Sequence, residues 1–453
     1  MYRSLLLSPI LLLAACKTVA NDEATPEEPA CDAQLLYADA DGDGFGDPAS
    51  GAQRCEAAGL TPFADDCDDG DETRFPGAEE ILCNGQVDNC SIEAESEVYA
   101  EGRALQSAID RVGVGGTVCV PAGDYDEVRV SGQDVIAIAG RDETIISVRR
   151  SATGVTMTGG TLTGFSIEGG AVGVTMTGSD GVELSNLRIS GAVQAMEIQT
   201  SRRVSILDTT IADTDGGIEM TTVQEVTLRD VSFQRASATG GTPALQLTDA
   251  EDVSGEALSF EGNEAGALSM LGSRDVEVLS SEFSDNRAEL GAAIYAENSA
   301  GVYVFNSTFE GNSARSGGAI ALLTVTDVEL NSVRLLDNEA TAFAGGGLFA
   351  YNSSVYVLLS TISDNRVSAG ALGAWGGGAL FWAGEVQGVA NSWLNNSSAG
   401  NGGAAAVMDC TASFEDNFEE NTAGLDGGGL YRNGGVVTYS GSAFWANTPQ
   451  DVF

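Results

Sequence analysis

Acidic residues near the N-terminal end of the chain recur at every second position, a spacing that suits cation binding. Residues 39–47 read DADGDGFGD. The glycines between the carboxylates allow the backbone to curl, so that several oxygens can converge on one ion. The predicted ligands in this segment are Asp39, Asp41, Asp43, Phe45 and Asp47.

A second acidic group lies downstream, where residues 65–71 read DDCDDGD, residues 76–80 read PGAEE and residues 83–90 read CNGQVDNC. Its predicted ligands are Asp65, Asp66, Asp68, Asp69, Asp71 and Asp88. An all-oxygen set in a chain without histidine favours Ca²⁺ over zinc or copper. Because crowded carboxylates repel one another unless cations neutralise them, we expect metal binding and folding to be coupled.

The order of these segments resembles a known family. Residues 37–90 resemble the MopE-type metal-binding repeat of bacterial surface lipoproteins, and their first part is similar to thrombospondin type 3 calcium repeats. The resemblance implies a disulfide-rich calcium-binding module over residues 31–97. It departs at residues 91–92, which are Ser-Ile where the family pattern has Asp-Gly, and Ser50 stands where an EF-hand would carry its last glutamate. The alternative is an acidic, disordered spacer.

Charge and composition exclude several functional classes. The chain of 453 residues has a formal net charge of -45, no histidine and a single lysine, Lys17. Imidazole-dependent catalysis, lysine Schiff bases and phosphate-binding loops are therefore excluded. The acidic balance also argues against nucleic acid as a partner.

The first residues are typical of an export signal. Residues 1–16 read MYRSLLLSPILLLAAC, which is too short to span a bilayer, and the last four resemble the lipobox of bacterial lipoproteins. The resemblance implies that Cys16 is acylated and anchors the protein to a membrane, and Lys17 after it favours the outer membrane or cell surface of a Gram-negative bacterium. An ordinary cleaved signal with an incidental cysteine is the alternative. Residues 17–30 are predicted to be a flexible acidic tether.

The remaining cysteines are concentrated near the acidic module. In an oxidising compartment the six from Cys31 to Cys119 predict a disulfide framework with fifteen possible pairings. Local closure favours the pairs Cys55–Cys67 and Cys83–Cys90. Cys410 is left over and is predicted to be a buried thiol.

A repeat fills residues 98–453. One large apolar residue recurs at near-regular intervals and is followed, from Phe260 onward, by asparagine three positions later. The apolar anchors are Ile167, Ile189, Ile211, Phe233, Phe260, Phe283, Phe309, Leu335, Ile362, Trp393, Phe418 and Phe444. The asparagines are Asn263, Asn286, Asn312, Asn338, Asn365, Asn396, Asn421 and Asn447. The pattern predicts a coil of parallel strands with stacked anchors inside and asparagines along one corner.

This repeat resembles the right-handed parallel β-helix, or pectin-lyase-like fold, and its FxxN and GGA(I/L) motifs look like those of chlamydial polymorphic outer-membrane proteins. The implied fold is an all-β solenoid of roughly fourteen turns. Residues 104–110 are predicted to form a short capping helix, and Cys119 is a candidate to link the Cys-rich segment to this cap. A compact three-domain chain is the alternative.

Two functional classes compete for the β-helix. As an enzyme it would be a polysaccharide lyase or glycoside hydrolase acting on an acidic or surface polysaccharide. Asp285, Asp337 and Asp364 recur beside the asparagines, which favours turn structure over catalysis. The less regular candidates are the pair Asp213 and Asp215, and Arg202 or Arg203 as a lyase base. The lack of histidine and the regularity of the acids favour a non-catalytic scaffold.

As a scaffold, the β-helix would serve surface binding or adhesion, with a glycan or a surface protein as partner. The residue after each inward Ile or Leu should point outward. This rule predicts an outer aromatic stripe of Tyr295, Phe349, Phe381 and Tyr431 that could stack on sugar rings. The alternative is that loops such as residues 366–376 cover the stripe.

Overall fold

A computed structural model describes residues 32–55, 57–91, 97–237, 239, 241–368, 370 and 373–453. The chain divides into two compact units. The first runs to Ile81 and includes residues 86–92, and the second comprises residues 82–85 and 93–453. The predicted signal peptide 1–16, its lipidation residue Cys16 and the tether 17–30 lie outside the described residues.

The first unit contains a small antiparallel sheet. Its strands are Gln34–Ala38, Ala52–Arg54 and Leu60–Thr61, with Gln34–Ala38 in the centre. A single 3-10 turn, Pro48–Ser50, follows Asp47, whose carboxylate accepts a hydrogen bond from the Ala49 amide. The ring of Phe45 packs on Phe63 and Phe75, with ring centroids 5.9 and 5.6 Å away. These few apolar contacts leave most of this unit to be organised by turns and charges.

The second unit is an all-β, right-handed parallel solenoid. One face is a 13-strand sheet. Its strands are Val128–Val130, Thr153–Met157, Val172–Thr177, Gln194–Gln199, Gly216–Thr221, Leu245–Thr248, Leu268–Leu271, Ile294–Glu297, Ile320–Leu323, Leu348–Tyr351, Ala379–Trp382, Ala405–Met408 and Leu430–Asn433.

The other faces form a 27-strand sheet that bends at a two-residue corner in most turns. Its strands are Glu97–Tyr99, Thr117–Val120, Gly123–Tyr125, Gln133–Ala137, Thr144–Val148, Gly160–Thr163, Ser166–Gly169, Asp180–Ser185, Arg188–Ser190, Arg202–Leu207, Thr210–Ala212, Gln224–Arg229, Ser232–Gln234, Glu251–Glu256, Ser259–Glu261, Arg274–Leu279, Glu282–Ser284, Ala300–Phe305, Thr308–Glu310, Thr326–Asn331, Arg334–Leu336, Ser354–Leu358, Thr361–Ser363, Glu385–Leu394, Thr411–Glu419, Val436–Thr438 and Ala443–Trp445. A five-strand sheet joins the later turns through Ser313–Ala314, Glu339–Ala340, Arg366–Val367, Ser397–Ser398 and Thr422–Ala423.

The predicted anchors form one continuous column in the interior. Ile167 pairs with Ile189, and the register continues turn by turn to Phe444, as predicted. Four phenylalanines in this column stack face to face, with successive ring centroids 4.5, 4.8 and 4.7 Å apart from Phe233 to Phe309. Identical side chains stack well because each turn repeats the same backbone at strand spacing.

The asparagines form the predicted corner ladder. Seven are fully buried, and the last, Asn447, is 7% exposed. Asn312 is typical: its Nδ2 donates to Phe283 O at 2.9 Å and to Asn338 Oδ1 at 3.0 Å, while its Oδ1 accepts from the backbone N–H of Asn286 at 3.1 Å. The ladder therefore ties successive turns together along the solenoid axis.

The N-terminal end is covered by a helix, as predicted. Its residues Leu105–Val112 turn Leu105, Ala108 and Ile109 into the core. The Gln106 carboxamide accepts from the Arg129 amide at 2.7 Å, which fixes the helix to the first strand of the 13-strand sheet. The solenoid has about 12 turns, slightly fewer than the roughly fourteen predicted.

The disulfides differ from the predicted pairs. Cys67 bonds to Cys90, and Cys83 bonds to Cys119, so the expectation from local closure was wrong. Strand Glu97–Tyr99 pairs with Thr117–Val120, and residues 82–85 belong to the same unit, which brings Cys83 to a cysteine distant in sequence. Cys119 thus bonds to the Cys-rich segment, as expected. Cys410 is free and buried, as predicted.

Within the described ranges, no helix has both the length and the apolar character needed to cross a membrane.

Candidate metal centre and ligand-binding surface

Five aspartates from the two acidic segments converge in the first unit. One oxygen from each of Asp39, Asp41 and Asp43 lies within 4.8 Å of the others, and Asp41, Asp66 and Asp69 form a second such group. Asp41 belongs to both groups. The two segments, separate in the sequence, therefore contribute to one cluster.

Backbone turns hold these carboxylates in place. Asp39 accepts from the Gly42 amide at 2.7 Å, and Asp43 accepts from the Phe45 amide at 2.8 Å. Asp69 reaches across to the other segment and accepts from the Ala40 amide at 2.8 Å. Gly42 and Gly44 have φ of 91° and 100°, which an L side chain rarely adopts, so the glycines are required for this curl.

Three carboxylates of the cluster each have one oxygen that makes no hydrogen bond. Oδ2 of Asp41, Asp43 and Asp66 is buried and has no hydrogen-bond partner. A buried carboxylate oxygen without a donor is costly, and a bound cation removes that cost. The residues present thus fit a hard cation that prefers oxygen ligands.

The electrostatics of the cluster agree with its geometry. Burial raises the pKa of Asp43 and of Asp66 above the usual value, and neighbouring carboxylates raise it further. Backbone N–H donors from Phe45 and Asp68 act in the opposite direction. The cluster therefore carries more negative charge than its own donors compensate.

The other predicted ligands have different partners. Asp47 caps the 3-10 turn, and Asp71 accepts from the Thr73 amide and hydroxyl. Asp65 is exposed, whereas Asp68 pairs with an arginine. Asp88 Oδ2 accepts from the backbone N–H of residue 81 at 2.9 Å. The structure thus places five of the ten predicted aspartates in the two carboxylate groups and the other five in neither.

One residue of the predicted aromatic stripe, Phe381, faces the core of the solenoid instead of its outer surface. In the 13-strand sheet the register runs from Tyr295 through Ala321 and Phe349 to Leu380, and then through Ala406 to Tyr431. Phe381 pairs with Ala350, is 2% exposed and faces the core. The prediction of an outward Phe381 assumed that Leu380 aligns with Leu348, but Ala379 does. A shift of one residue moves every side chain of a strand to the opposite face, so the predicted placement was wrong.

Loops cover the middle of the remaining stripe. Phe349 is 7% exposed, and Leu380 is fully buried although it faces away from the solenoid core. Leu290, Phe343 and Trp375 pack over these side chains as a second small core. The stripe is therefore mainly structural, and only the end residues Tyr295 and Tyr431 are half-buried.

A second outer row lies two residues further along the same strands. Leu323, Tyr351, Trp382 and Met408 occupy it on successive turns. Tyr351 is 40% exposed, the other three are half-buried, and the Tyr351 and Trp382 ring centroids are 5.3 Å apart. None of the residues predicted from the sequence belongs to this row, which we call the open apolar row. Counting two residues on from each stripe position would have found it.

The aspartates considered for catalysis serve turns and ion pairs. Asp285, Asp337 and Asp364 have φ of 55°, 52° and 58°, the left-handed conformation that Asp tolerates, as the turn interpretation predicted. Asp213 forms a bidentate pair with Arg235, which lowers its pKa, and this disfavours a role as a general acid. Asp215 accepts from a serine hydroxyl.

The candidate lyase arginines are also engaged. The hydrogen bond from Arg202 to Glu225 raises the pKa of the guanidinium, and Arg203 pairs with Asp180 at 2.7 Å. An arginine held in its protonated form is a poor base. These contacts argue against the elimination mechanism at Arg202 and Arg203.

Solved structures with a similar fold have diverse activities. The A-module of mannuronan C-5 epimerase AlgE6 from Azotobacter vinelandii is 13% identical, with 78% of this chain and 97% of that chain covered and a TM-score of 0.44. The catalytic unit of a GH87 α-1,3-glucanase from Streptomyces thermodiastaticus is 18% identical, with 78% and 68% covered and a TM-score of 0.46. PfbA, a surface adhesin of Streptococcus pneumoniae, is 11% identical, with 73% and 86% covered and a TM-score of 0.39. Likenesses this distant concern the fold and carry no functional argument.

No curated protein sequence matches the chain significantly. A family model described as "Right handed beta helix region" matches residues 172–334 and 216–448, which together span more than half of the chain. The interior column, the asparagine ladder and this match agree, and the chain therefore belongs to the right-handed β-helix family.

Proposed function

We propose that this protein is an exported, lipid-anchored envelope protein in which the acidic unit binds Ca²⁺ and the β-helix serves as a non-catalytic binding scaffold. The observation that carries the metal assignment is the set of three buried, unpartnered oxygens on Asp41, Asp43 and Asp66. Asp39 and Asp69 complete the ligand set.

The donor chemistry supports calcium over magnesium. Ca²⁺ accepts six to eight oxygen ligands in flexible geometry, whereas Mg²⁺ demands a near-ideal octahedron and retains waters. A cluster in which five carboxylates approach from two chain segments suits the larger, more tolerant ion. Since the first unit has only a small apolar core, the bound ion would also stabilise its fold.

The metal proposal is tested by calorimetry on the full chain with Ca²⁺ and Mg²⁺. Asp66→Asn removes a central charge and should weaken Ca²⁺ binding at least tenfold, while Mg²⁺ binds more weakly throughout. Asp65→Asn is the matched control, because Asp65 is exposed and its φ of 77° is one that Asn also adopts. Absence of any calcium heat, or equal effects of the two variants, would contradict the proposal.

The scaffold proposal rests on the open apolar row. Aromatic and apolar side chains at strand spacing along an outer sheet face can stack on consecutive sugar rings or pack on a surface protein. Tyr351 and Trp382 would provide the principal contacts.

A glycan array probed with the full chain tests the scaffold. Trp382→Ala should reduce retention, whereas Tyr356→Ala, at a 45% exposed tyrosine on the other sheet, should not. Release of cleavage products from any retained glycan would overturn the non-catalytic assignment and favour a carbohydrate-active enzyme.

The anchor is tested separately by metabolic labelling with a fatty acid. The Cys16→Ser variant should lose the label and the membrane association. Retained label would place the acyl group elsewhere.

A further inference from the structure

The first unit holds a second acidic group that already contains a cation of its own. The Arg74 guanidinium lies between Asp68 and Asp88, two residues that the sequence predicts as metal ligands. Nη1 donates to Asp68 Oδ2, Nε is 3.8 Å from Asp88 Oδ1, and Nη2 donates to the carbonyl oxygen of Val87 at 3.4 Å.

This arrangement is fixed by the surrounding chain. The disulfide Cys67–Cys90 brings the segment with Asp68 beside the segment with Asp88. The Arg74 amide donates to Asp71 O at 2.9 Å, which turns its side chain back into the group. The Arg74 side chain is 17% exposed, so the guanidinium is largely withdrawn from water.

This positive charge offsets part of the cost of burying Asp88, whose Oδ2 also accepts from the backbone N–H of residue 81. The Asp88 side chain is 4% exposed, and a buried carboxylate is costly unless it is paired. Within the described part of the chain, by contrast, the cluster of Asp39, Asp41, Asp43, Asp66 and Asp69 has no arginine in ion-pair contact. One acidic group therefore has a built-in cation and the other has none.

We infer that Arg74 takes the place of a second metal ion, so that the acidic unit binds one divalent cation per chain. This inference rests on the proposed calcium function. A guanidinium and a divalent ion would compete for the same oxygens of Asp68 and Asp88, and like charges cannot share so small a site. Arg74 thus determines the metal stoichiometry, and the resemblance to the metal-binding repeat overestimates the number of ligands.

Native mass spectrometry and calorimetry on the full chain with Ca²⁺ give the number of bound ions. We expect one ion for the unmodified protein and two for Arg74→Gln, which removes the guanidinium from Asp68 and Asp88. Arg74→Lys, which keeps the charge, should bind one. Arg54→Gln is the matched control, since it removes an exposed arginine of the same unit and should leave the count at one.

The Asp88→Asn variant gives a second test if Arg74→Gln fails to fold. Asp88 is not a ligand in our inference, so calcium affinity should stay within about threefold of the unmodified value. Two ions in the unmodified chain, a single ion in folded Arg74→Gln, or a loss of calcium binding in Asp88→Asn would overturn the inference. No bound ion in the unmodified chain would instead refute the proposed function.

Discussion

Asp416 is a carboxylate inside the β-helix core. It is 1% exposed. Its Oδ1 accepts from the backbone and side-chain nitrogens of Asn391 at 3.0 Å each, and its Oδ2 accepts from Trp393 Nε1 at 3.0 Å. Burial raises the pKa of Asp416 above 3.8, although these donors oppose the shift. Three donors satisfy the side chain, yet its ionised form still costs stability.

The pH dependence of stability should show this cost. Because the pKa is higher in the folded than in the unfolded state, the folded state binds more protons above 3.8, and stability falls as pH rises through that range. Asp416→Asn removes this contribution. The melting temperature of the variant minus that of the unmodified protein should therefore be more positive at about pH 7 than at about pH 4.

The exposed neighbour Glu415 provides the control for this measurement. Glu415→Gln should show a melting-temperature difference that changes much less between the two pH values. If the melting-temperature difference for Asp416→Asn does not depend on pH, the Asp416 carboxyl group has the same pKa in the folded and unfolded states.

The asparagine ladder is the element that couples neighbouring turns. In Asn312→Ala the Oδ1 acceptor is lost, so the buried backbone N–H of Asn286 loses its partner and Nδ2 of Asn286 keeps only Phe260 O. Each buried unsatisfied donor costs roughly 1–3 kcal/mol, and we expect a loss of about 3 kcal/mol in the free energy of unfolding.

Denaturant titration measures this loss. Asn331→Ala is a suitable comparison, because Asn331 is only half-buried and its Nδ2 bonds to the side chain of Glu329. Its expected cost is below about 1 kcal/mol. Equal costs for the two variants would argue against a stabilising ladder.

The residue directly before each ladder asparagine adopts a left-handed backbone conformation with positive φ. Asp337 has φ of 52°, and the equivalent positions in other turns are occupied by Gly262 and Gly311, also at positive φ. Asp337→Gly should be tolerated, whereas Asp337→Val should cost about 1–2 kcal/mol more, because a β-branched side chain strains the left-handed conformation. Denaturant midpoints measure this difference. Equal denaturant midpoints for the Val and Gly variants would show that the left-handed backbone conformation does not restrict the residue type at position 337.

At the scale of the whole molecule, the two units depend on different forces. The β-helix has a continuous apolar core from Ala100 to Leu430, whereas the first unit has few buried apolar side chains within its described residues. Chelation should therefore increase hydrogen exchange in residues 34–71 while leaving the β-helix protected.

Exchange measured by mass spectrometry, with and without a calcium chelator, compares the units directly. Restored protection on adding back Ca²⁺ completes the test. Uniform exchange changes in both units, or none in either, would refute metal-coupled folding of the first unit alone.

The repeat was predictable because every turn of a solenoid repeats nearly the same spacing of residue types along the chain. Each turn reproduces the same environment, so the anchors ending at Phe444 and the asparagines ending at Asn447 show their register in the sequence alone. The outward face of Phe381 was mispredicted because alternation reverses with a one-residue shift, and loop length between turns is irregular.

The sequence by itself determined the fold, the oxygen chemistry of the acidic segments and the exclusion of imidazole catalysis, since these follow from residue type and local spacing. Only the tertiary structure decided which aspartates meet, that Arg74 lies between Asp68 and Asp88, and that Cys83 bonds to Cys119. The physical reason is that these contacts join segments whose separation carries no period. Their partners are selected by how the chain packs in three dimensions.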